Sequence, residues 1–257
     1  MYIDTHCHLH DPKFNGSLDQ VVETYTSLGV SKAIDMGCCY KTSLIGKSLA
    51  EKYDSVYFGA GCHPSDAKTF NEEEYNGIKS LLSCEKCVAV GEIGLDYYWD
   101  DSYKDVQKEV LKTQLSLCKE TGLPFSLHVR DATLDALTIL KENRNKIING
   151  GVVHCFSGSK ETAKEYMDLG LKIGFGGPIS FKNAERTREV VKYVPLDFIV
   201  TETDCPYLSP EPFRGKTNSP KNIPIIVDVI ARVKGEDIEK VKEIVYKNAK
   251  QVFKKIK

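Results

Sequence analysis

The chain has 257 residues, 41% apolar and 28% charged, with a formal net charge of −1. No stretch reaches the ~18 consecutive apolar residues of a membrane span. The start, Met1-Tyr2-Ile3-Asp4-Thr5-His6, lacks the basic and apolar regions of a secretory signal, so a cytoplasmic or nuclear protein is expected. With 35 basic and 36 acidic residues, no whole face is basic enough to coat a duplex, and any phosphate binding is confined to a pocket. The odd count of nine scattered cysteines fits reduced thiols rather than a disulfide framework. Cys84-Glu85-Lys86-Cys87 is a lone CxxC without a second pair, and reads as a helix end followed by a buried strand start.

In chain order, short β-rich runs alternate with amphipathic stretches. The predicted strands are Tyr2–Thr5, Lys32–Met36, Val56–Gly61, Val88–Glu92, Phe125–Val129, Gly151–His154, Leu171–Gly174 and Phe198–Glu202. Between them lie predicted helices Leu18–Leu28, Ser43–Tyr53, Glu72–Leu82, Val106–Glu120, Leu134–Asn143, Glu161–Leu169 and Ala184–Tyr193. A last amphipathic stretch carries Ile238, Val241, Ile244, Val245, Val252, Phe253 and Ile256 at three- and four-residue spacing. Eight strands alternating with helices imply parallel pairing through βαβ crossovers. A single (β/α)8 barrel spanning residues 1–257 accounts for every unit; an open doubly wound sheet also fits the alternation.

The ligand-type residues decide between the two. Of the six histidines, five lie at or just past a predicted strand end: His6, His8, His63, His128 and His154. Glu92 ends predicted strand four, and Asp204 follows strand eight in Thr201-Glu202-Thr203-Asp204-Cys205-Pro206. In a barrel these ends form one rim, where active sites of that architecture are built; in an open sheet they are too far apart to meet. The i, i+2 spacing of His6 and His8 projects both imidazoles from one side of an extended segment. Two imidazoles and a carboxylate suit Mg²⁺, Mn²⁺ or Zn²⁺. Glu92 has two oxygens with which to bridge two divalent ions, and His128 and His154 can complete the second position. Asp204 can bind a metal and also take a proton from the attacking water. Two such ions leave net positive charge in the site, which suits an anionic phosphodiester. His63 and Arg130 are candidate phosphate contacts, Arg130 by its two-pronged guanidinium. Asp96 can orient a histidine or a substrate group. Arg214, in the proline-rich stretch Pro206–Pro220, would border the groove. Tyr97, Tyr98 and Trp99 read as packing residues before base-stacking ones, and His10 as a surface or supporting residue.

The chain resembles the TatD-type metal-dependent deoxyribonucleases, within the wider amidohydrolase-like metal barrels. The stretches that carry the resemblance are IDTHCHLH at 3–10, GCHPSD at 61–66, AVGEIGLDYY at 89–98, LPFSLHVRDA at 123–132, VVHCFSGS at 152–159, IGFGGPISFKN at 173–183 and TETDCPYLSPEPFRGKTNSP at 201–220. The resemblance implies a TIM barrel and a two-metal hydrolase. Its ligands would be His6, His8, Glu92, His128, His154 and Asp204, with Asp204 also the general base. It further implies 3′-to-5′ exonuclease action on single-stranded DNA, with DNA as partner; from the chain itself no membrane partner is expected, and a monomer is favoured with the oligomeric state open. Ser65 departs from the pattern where a second histidine is common, and so do Thr217 and Ser219, where a basic and an acidic residue are common.

Two other readings compete. In an amidohydrolase acting on a small cyclic amide, a carboxylated lysine often bridges the metals, where this chain has Glu92. A deaminase usually has a glutamate after the strand-five histidine, where this chain reads His128-Val129-Arg130-Asp131. Cleavage of an aminoacyl-tRNA ester uses the same chemistry as phosphodiester cleavage. A non-enzymatic adaptor in a DNA-degrading complex would leave a costly pocket of unpaired carboxylates.

Overall fold

The computed structural model describes residues 1–257. Eight parallel strands run in sequence order round one sheet: β1 (Tyr2–Cys7), β2 (Val30–Met36), β3 (Val56–Ala60), β4 (Cys87–Asp96), β5 (Phe125–Arg130), β6 (Gly151–Val153), β7 (Lys172–Phe175) and β8 (Ile199–Thr201). Helices α1 (Leu18–Ser27), α2 (Tyr40–Lys52), α3 (Glu72–Leu81), α4 (Lys104–Thr121), α5 (Thr133–Glu142), α6 (Lys160–Asp168) and α7 (Glu185–Tyr193) connect consecutive strands. The chain closes with α8 (Ile223–Lys234) and α9 (Ile238–Val252). This is a TIM barrel, and the open doubly wound alternative is excluded. No helix is long and apolar enough to cross a membrane.

Local chemistry sets the helix ends. Asn71 accepts from the Glu74 amide to start α3, and Asp237 accepts from the amides of Glu239 and Lys240 to start α9. Gly122 and Gly235 end α4 and α8 in the left-handed region that a side chain disfavours. The sequence reading omitted α8, because its apolar run Ile223-Pro-Ile-Ile-Val lacks clear periodicity. Pro224 falls in the first turn, where its missing N–H costs nothing.

Two apolar layers surround the strands. The larger packs helices against the outer face of the barrel. The smaller sits at the strand starts, where Ile3, Ile34, Tyr57, Val152 and Val200 meet Val252, Phe253 and Ile256 from the C-terminal region. That plug closes one end and leaves the other for polar side chains.

Strand β4 departs most from expectation. It runs to Asp96 rather than stopping at Glu92, and all ten of its residues are buried. Its register against β5 slips between Val90 and Ile93, so one extra residue is accommodated around Glu92. Gly94 is needed beside it: at φ +151, a Cβ there would lie 1.9 Å from the His128 carbonyl oxygen.

The seam between β8 and β1 is closed by other means than a regular ladder. The Asp204 amide donates to His6 O (2.9 Å), and the His8 amide donates to Cys205 O (2.7 Å). The buried carboxyl of Asp4 accepts from the amides of Thr203 (3.0 Å) and His6 (3.3 Å), and also meets the Thr203 hydroxyl. Burial raises this carboxyl to about 8 despite those hydrogen bonds. Asp4 is therefore held as the neutral acid near pH 7, and an amide can replace it. The unfolded chain ionises Asp4 near 3.8 and the folded chain near 8, so this group's contribution to stability falls as pH rises through that window. Asp4→Asn is expected to match or exceed wild-type Tm at pH 7, with its advantage growing from pH 6 to 8. Asp4→Ala is expected to lose about 1–3 kcal/mol. Thermal melts across pH check this, and an Asn variant as unstable as the Ala variant at every pH contradicts it.

Candidate metal centre

The strand ends opposite the plug bring His8, His63, Glu92, His128, His154 and Asp204 together around a cleft of about 530 Å³, with His6 buried behind Glu92. Three of the connecting turns use left-handed residues that are not glycine: Asp131 (φ 53°), Cys155 (φ 46°) and Asp204 (φ 55°), just past β5, β6 and β8. Such conformations are disfavoured and persist where surroundings fix them, often at functional sites. Here the Asp204 amide is fixed by His6 O, and the Cys155 amide by the carboxylate of Glu202.

Glu92 is the centre of the arrangement, and its two oxygens face different partners. Oε2 lies 3.2 Å from His6 Nε2 and 3.6 Å from His8 Nε2. Asp204 Oδ1 joins that side, 3.3 Å from His8 Nε2 and 3.9 Å from His6 Nε2. Oε1 lies 3.0 Å from His128 Nδ1, 3.2 Å from His154 Nε2 and 3.7 Å from His63 Nε2. Donor atoms of His6, His8 and Glu92 form one cluster compact enough for a cation, and those of His63, Glu92 and His128 form another.

The outer hydrogen bonds test whether these groups fit metal ions. His8 Nδ1 donates to the Met36 carbonyl (2.9 Å), so that loss of the second proton would leave a lone pair on Nε2 facing the cleft. His6 Nδ1 pairs with the Ser126 hydroxyl (2.9 Å), while its buried Nε2 has no hydrogen-bond partner. An orphaned imidazole nitrogen beside two carboxylates fits coordination. His63 differs, because its Nδ1 accepts from the Ser65 amide (3.1 Å). Its neutral ring therefore carries the proton on Nε2 and presents a donor to the cleft. Ser65, which departs from the family pattern, orients His63 through its amide and hydroxyl.

Several residues that shape the centre were missed in the sequence. Glu202 is fully buried, with Oε1 3.2 Å from His154 Nδ1, so His154 is held between two carboxylates. Its signal was present, since Glu202 stands two residues before Asp204, as Asp4 stands two before His6. Gln107 and Gln114, one helical face of α4, pin the backbones of Asp96 and Cys62 through paired amide bonds of 2.7–3.0 Å. Asn218 ties the loop after β8 to the Thr203 and Tyr207 carbonyls.

The expected substrate contacts divide. Asp96 Oδ2 holds His128 Nε2 at 2.9 Å, so it positions a histidine instead of reaching for substrate. Arg130 pairs with no carboxylate; its guanidinium lies 3.6 Å from the Tyr98 ring centre at the cleft mouth. Arg214 stacks on Phe181 at 4.2 Å and lines none of this cleft, which corrects the expectation that it borders the groove at the metal cluster. Tyr97 packs inward and donates to Asp135, whereas Tyr98 and Trp99 are exposed, contrary to the packing role expected of all three. His10 is not a surface residue, because the buried Asp35 carboxylate holds both its amide and its ring.

The sequence matches the family described as TatD related DNase over residues 3–254. It is 43% identical to the "uncharacterized metal-dependent hydrolase YabD" of Bacillus subtilis, across 99% of both chains. Among solved structures, the TatD homologue YJJV of Escherichia coli superposes with a TM-score of 0.94 at 32% identity, covering 98% of each chain. A TatD family hydrolase of Entamoeba histolytica gives 0.86 at 26% identity, covering 98% of this chain and 97% of that one.

Electrostatics set how a cation would enter. Burial pushes the His8 imidazole down, but Cys38, Asp204 and Glu92 outweigh it and hold it well above the usual histidine range. His154 shows the same competition, won by Glu92 and Glu202. Burial opposes ionisation of Glu92, yet the surrounding imidazoles hold it well below the carboxylate range. Burial takes the His63 imidazole down to about 4. Protons on His8 and His154 must leave when a cation takes their place, so binding strengthens as pH rises. Calorimetric titration with Mn²⁺ is expected to release protons, seen as heats that depend on the buffer's ionisation enthalpy. Affinity is expected to rise about tenfold per unit increase in pH for each proton displaced. Buffer-independent heats with pH-independent affinity contradict this assignment.

Proposed function

The chain belongs to the TatD family of metal-dependent hydrolases, and on that premise we propose that it is a deoxyribonuclease that shortens single-stranded DNA from the 3′ end. Two divalent ions would be held by His6, His8 and Asp204 on one side of Glu92, and by His128 and His154 on the other. The observation that carries the reading is the division of Glu92, whose two oxygens face separate sets of imidazoles beside an unpaired arginine. When bound, such a pair supplies Lewis acidity, a nucleophile at neutral pH and charge for the leaving oxygen.

The chain's own groups have distinct work. Burial opposes ionisation of Asp204, but His8, His154 and His6 outweigh it and keep it a carboxylate, and its side chain remains 17% exposed, so Oδ1 can accept the proton of the attacking water. His63 Nε2–H can donate to a phosphate oxygen from inside the cleft. Arg130 can fork onto the same phosphate from the mouth, its plane fixed by Tyr98. Glu92 and Asp204 offset only part of the charge two divalent ions bring, which leaves the cleft suited to an anionic diester. The small-amide reading gains nothing from these residues, because a neutral amide has no use for the free guanidinium.

The test is metal-stripped protein with 5′-labelled single-stranded DNA, restored separately with Mg²⁺, Mn²⁺ or Zn²⁺. A ladder shortening from the 3′ end is expected, reduced at least ~10³-fold in Glu92→Ala. Arg130→Ala is expected to lower kcat/KM about 10- to 100-fold through lost charged hydrogen bonds. Intact DNA with every metal, from protein shown to hold two ions, contradicts the proposal.

A further inference from the structure

Beside the metal cleft lies a second cavity of about 350 Å³, between the ends of β5 and β6 and the start of α6. It shares Arg130 and His154 with the cleft, so whatever fills it adjoins the reacting centre. Its lining sets aromatic and aliphatic side chains, Tyr98, Phe156 and Val153, among polar ones, Arg130, Asp131, Ser157 and Thr162. Tyr166, 1% exposed, also lines it, and its phenol hydroxyl has no hydrogen-bond partner in the structure. No side chain caps α5, whose first residue, Thr133, lines the same cavity. Free amides at the helix start and the Arg130 guanidinium favour an anion at this edge, against the single carboxylate of Asp131, which also lines the cavity.

Two aromatic side chains, polar groups for an edge and the Arg130 guanidinium at the rim make a combination matched to a nucleotide. We propose that this cavity receives the base of the 3′-terminal nucleotide, resting on the nuclease reading above, while Arg130 holds its phosphate at the junction with the cleft. Tyr98 and Phe156 supply apolar surface for the ring, and Thr162 supplies a hydroxyl at its edge. The cavity then gives each released nucleotide a defined seat, and gives the protein a dependence on the identity of the terminal base.

The single tryptophan is a built-in reporter, because Trp99 is exposed and its ring centre lies 5.4 Å from the Arg130 guanidinium. Its fluorescence would be followed as the full chain in Mg²⁺ buffer is titrated with dAMP, deoxyribose 5-phosphate and inorganic phosphate. dAMP is expected to bind at least about tenfold more tightly than deoxyribose 5-phosphate. Thr162→Val is expected to remove about three- to tenfold of that gain, with the loss confined to the base-bearing ligand. Ser157→Phe, on an exposed loop lining the same cavity, occludes it without disturbing the core and is expected to abolish the gain. Equal binding of dAMP and deoxyribose 5-phosphate, or equal losses for both in the variants, overturns the base site and leaves the nuclease reading standing. No binding of any of the three phosphates overturns both.

Discussion

A carboxylate taken out of water must be compensated, and Glu92 is 2% exposed inside the barrel. Its compensation is a shell of imidazoles on both oxygens, and that requirement organises the rim. The register slip in β4 accommodates the residue, and Gly94 lets the β5 backbone come close enough for His128 to reach it. Asp96 holds the far nitrogen of His128, and Glu202 that of His154. Each of these buried charges is tolerable only because the next one is present, so the cluster is prepared for cations before any arrives.

The same logic extends to the backbone. Parallel strands end with carbonyl and amide groups that the ladder no longer satisfies, and buried ones need partners. Gln107 and Gln114 substitute for a neighbouring strand at the Asp96 and Cys62 positions, and Asn218 does so after β8. Asp4 completes the seam between the first and last strands, next to His6. Rigidity at the rim therefore comes from polar side chains buried behind the site, while the apolar plug at the other end closes the barrel floor.

Much of this was legible in the residues. Alternating apolar strands and amphipathic helices gave the architecture, and ligand-type residues at strand ends showed which rim to examine. Positions that depend on three-dimensional contacts were harder to see. The extension of β4 past Glu92 was hidden because Gly-Glu-Ile-Gly reads as a turn, whereas burial on both faces keeps it extended. Glu202 and Asp4 share strand alternation with Asp204 and His6, a usable signal that ordinary polar composition masked. The role of Ser65 depends on which imidazole nitrogen it meets, and Arg214 turns on a stacking contact with Phe181; neither is encoded in spacing.

The division of Glu92 between two ion positions is the claim on which the rest depends. Crystals grown with Mn²⁺ and measured for its anomalous scattering test it most directly. The account predicts two peaks flanking the Glu92 carboxylate, one among His6, His8 and Asp204 and the other beside His128 and His154. It also predicts that Glu92→Gln weakens both. A single peak remote from Glu92, such as one held by His8, His10 and Cys38, would contradict it.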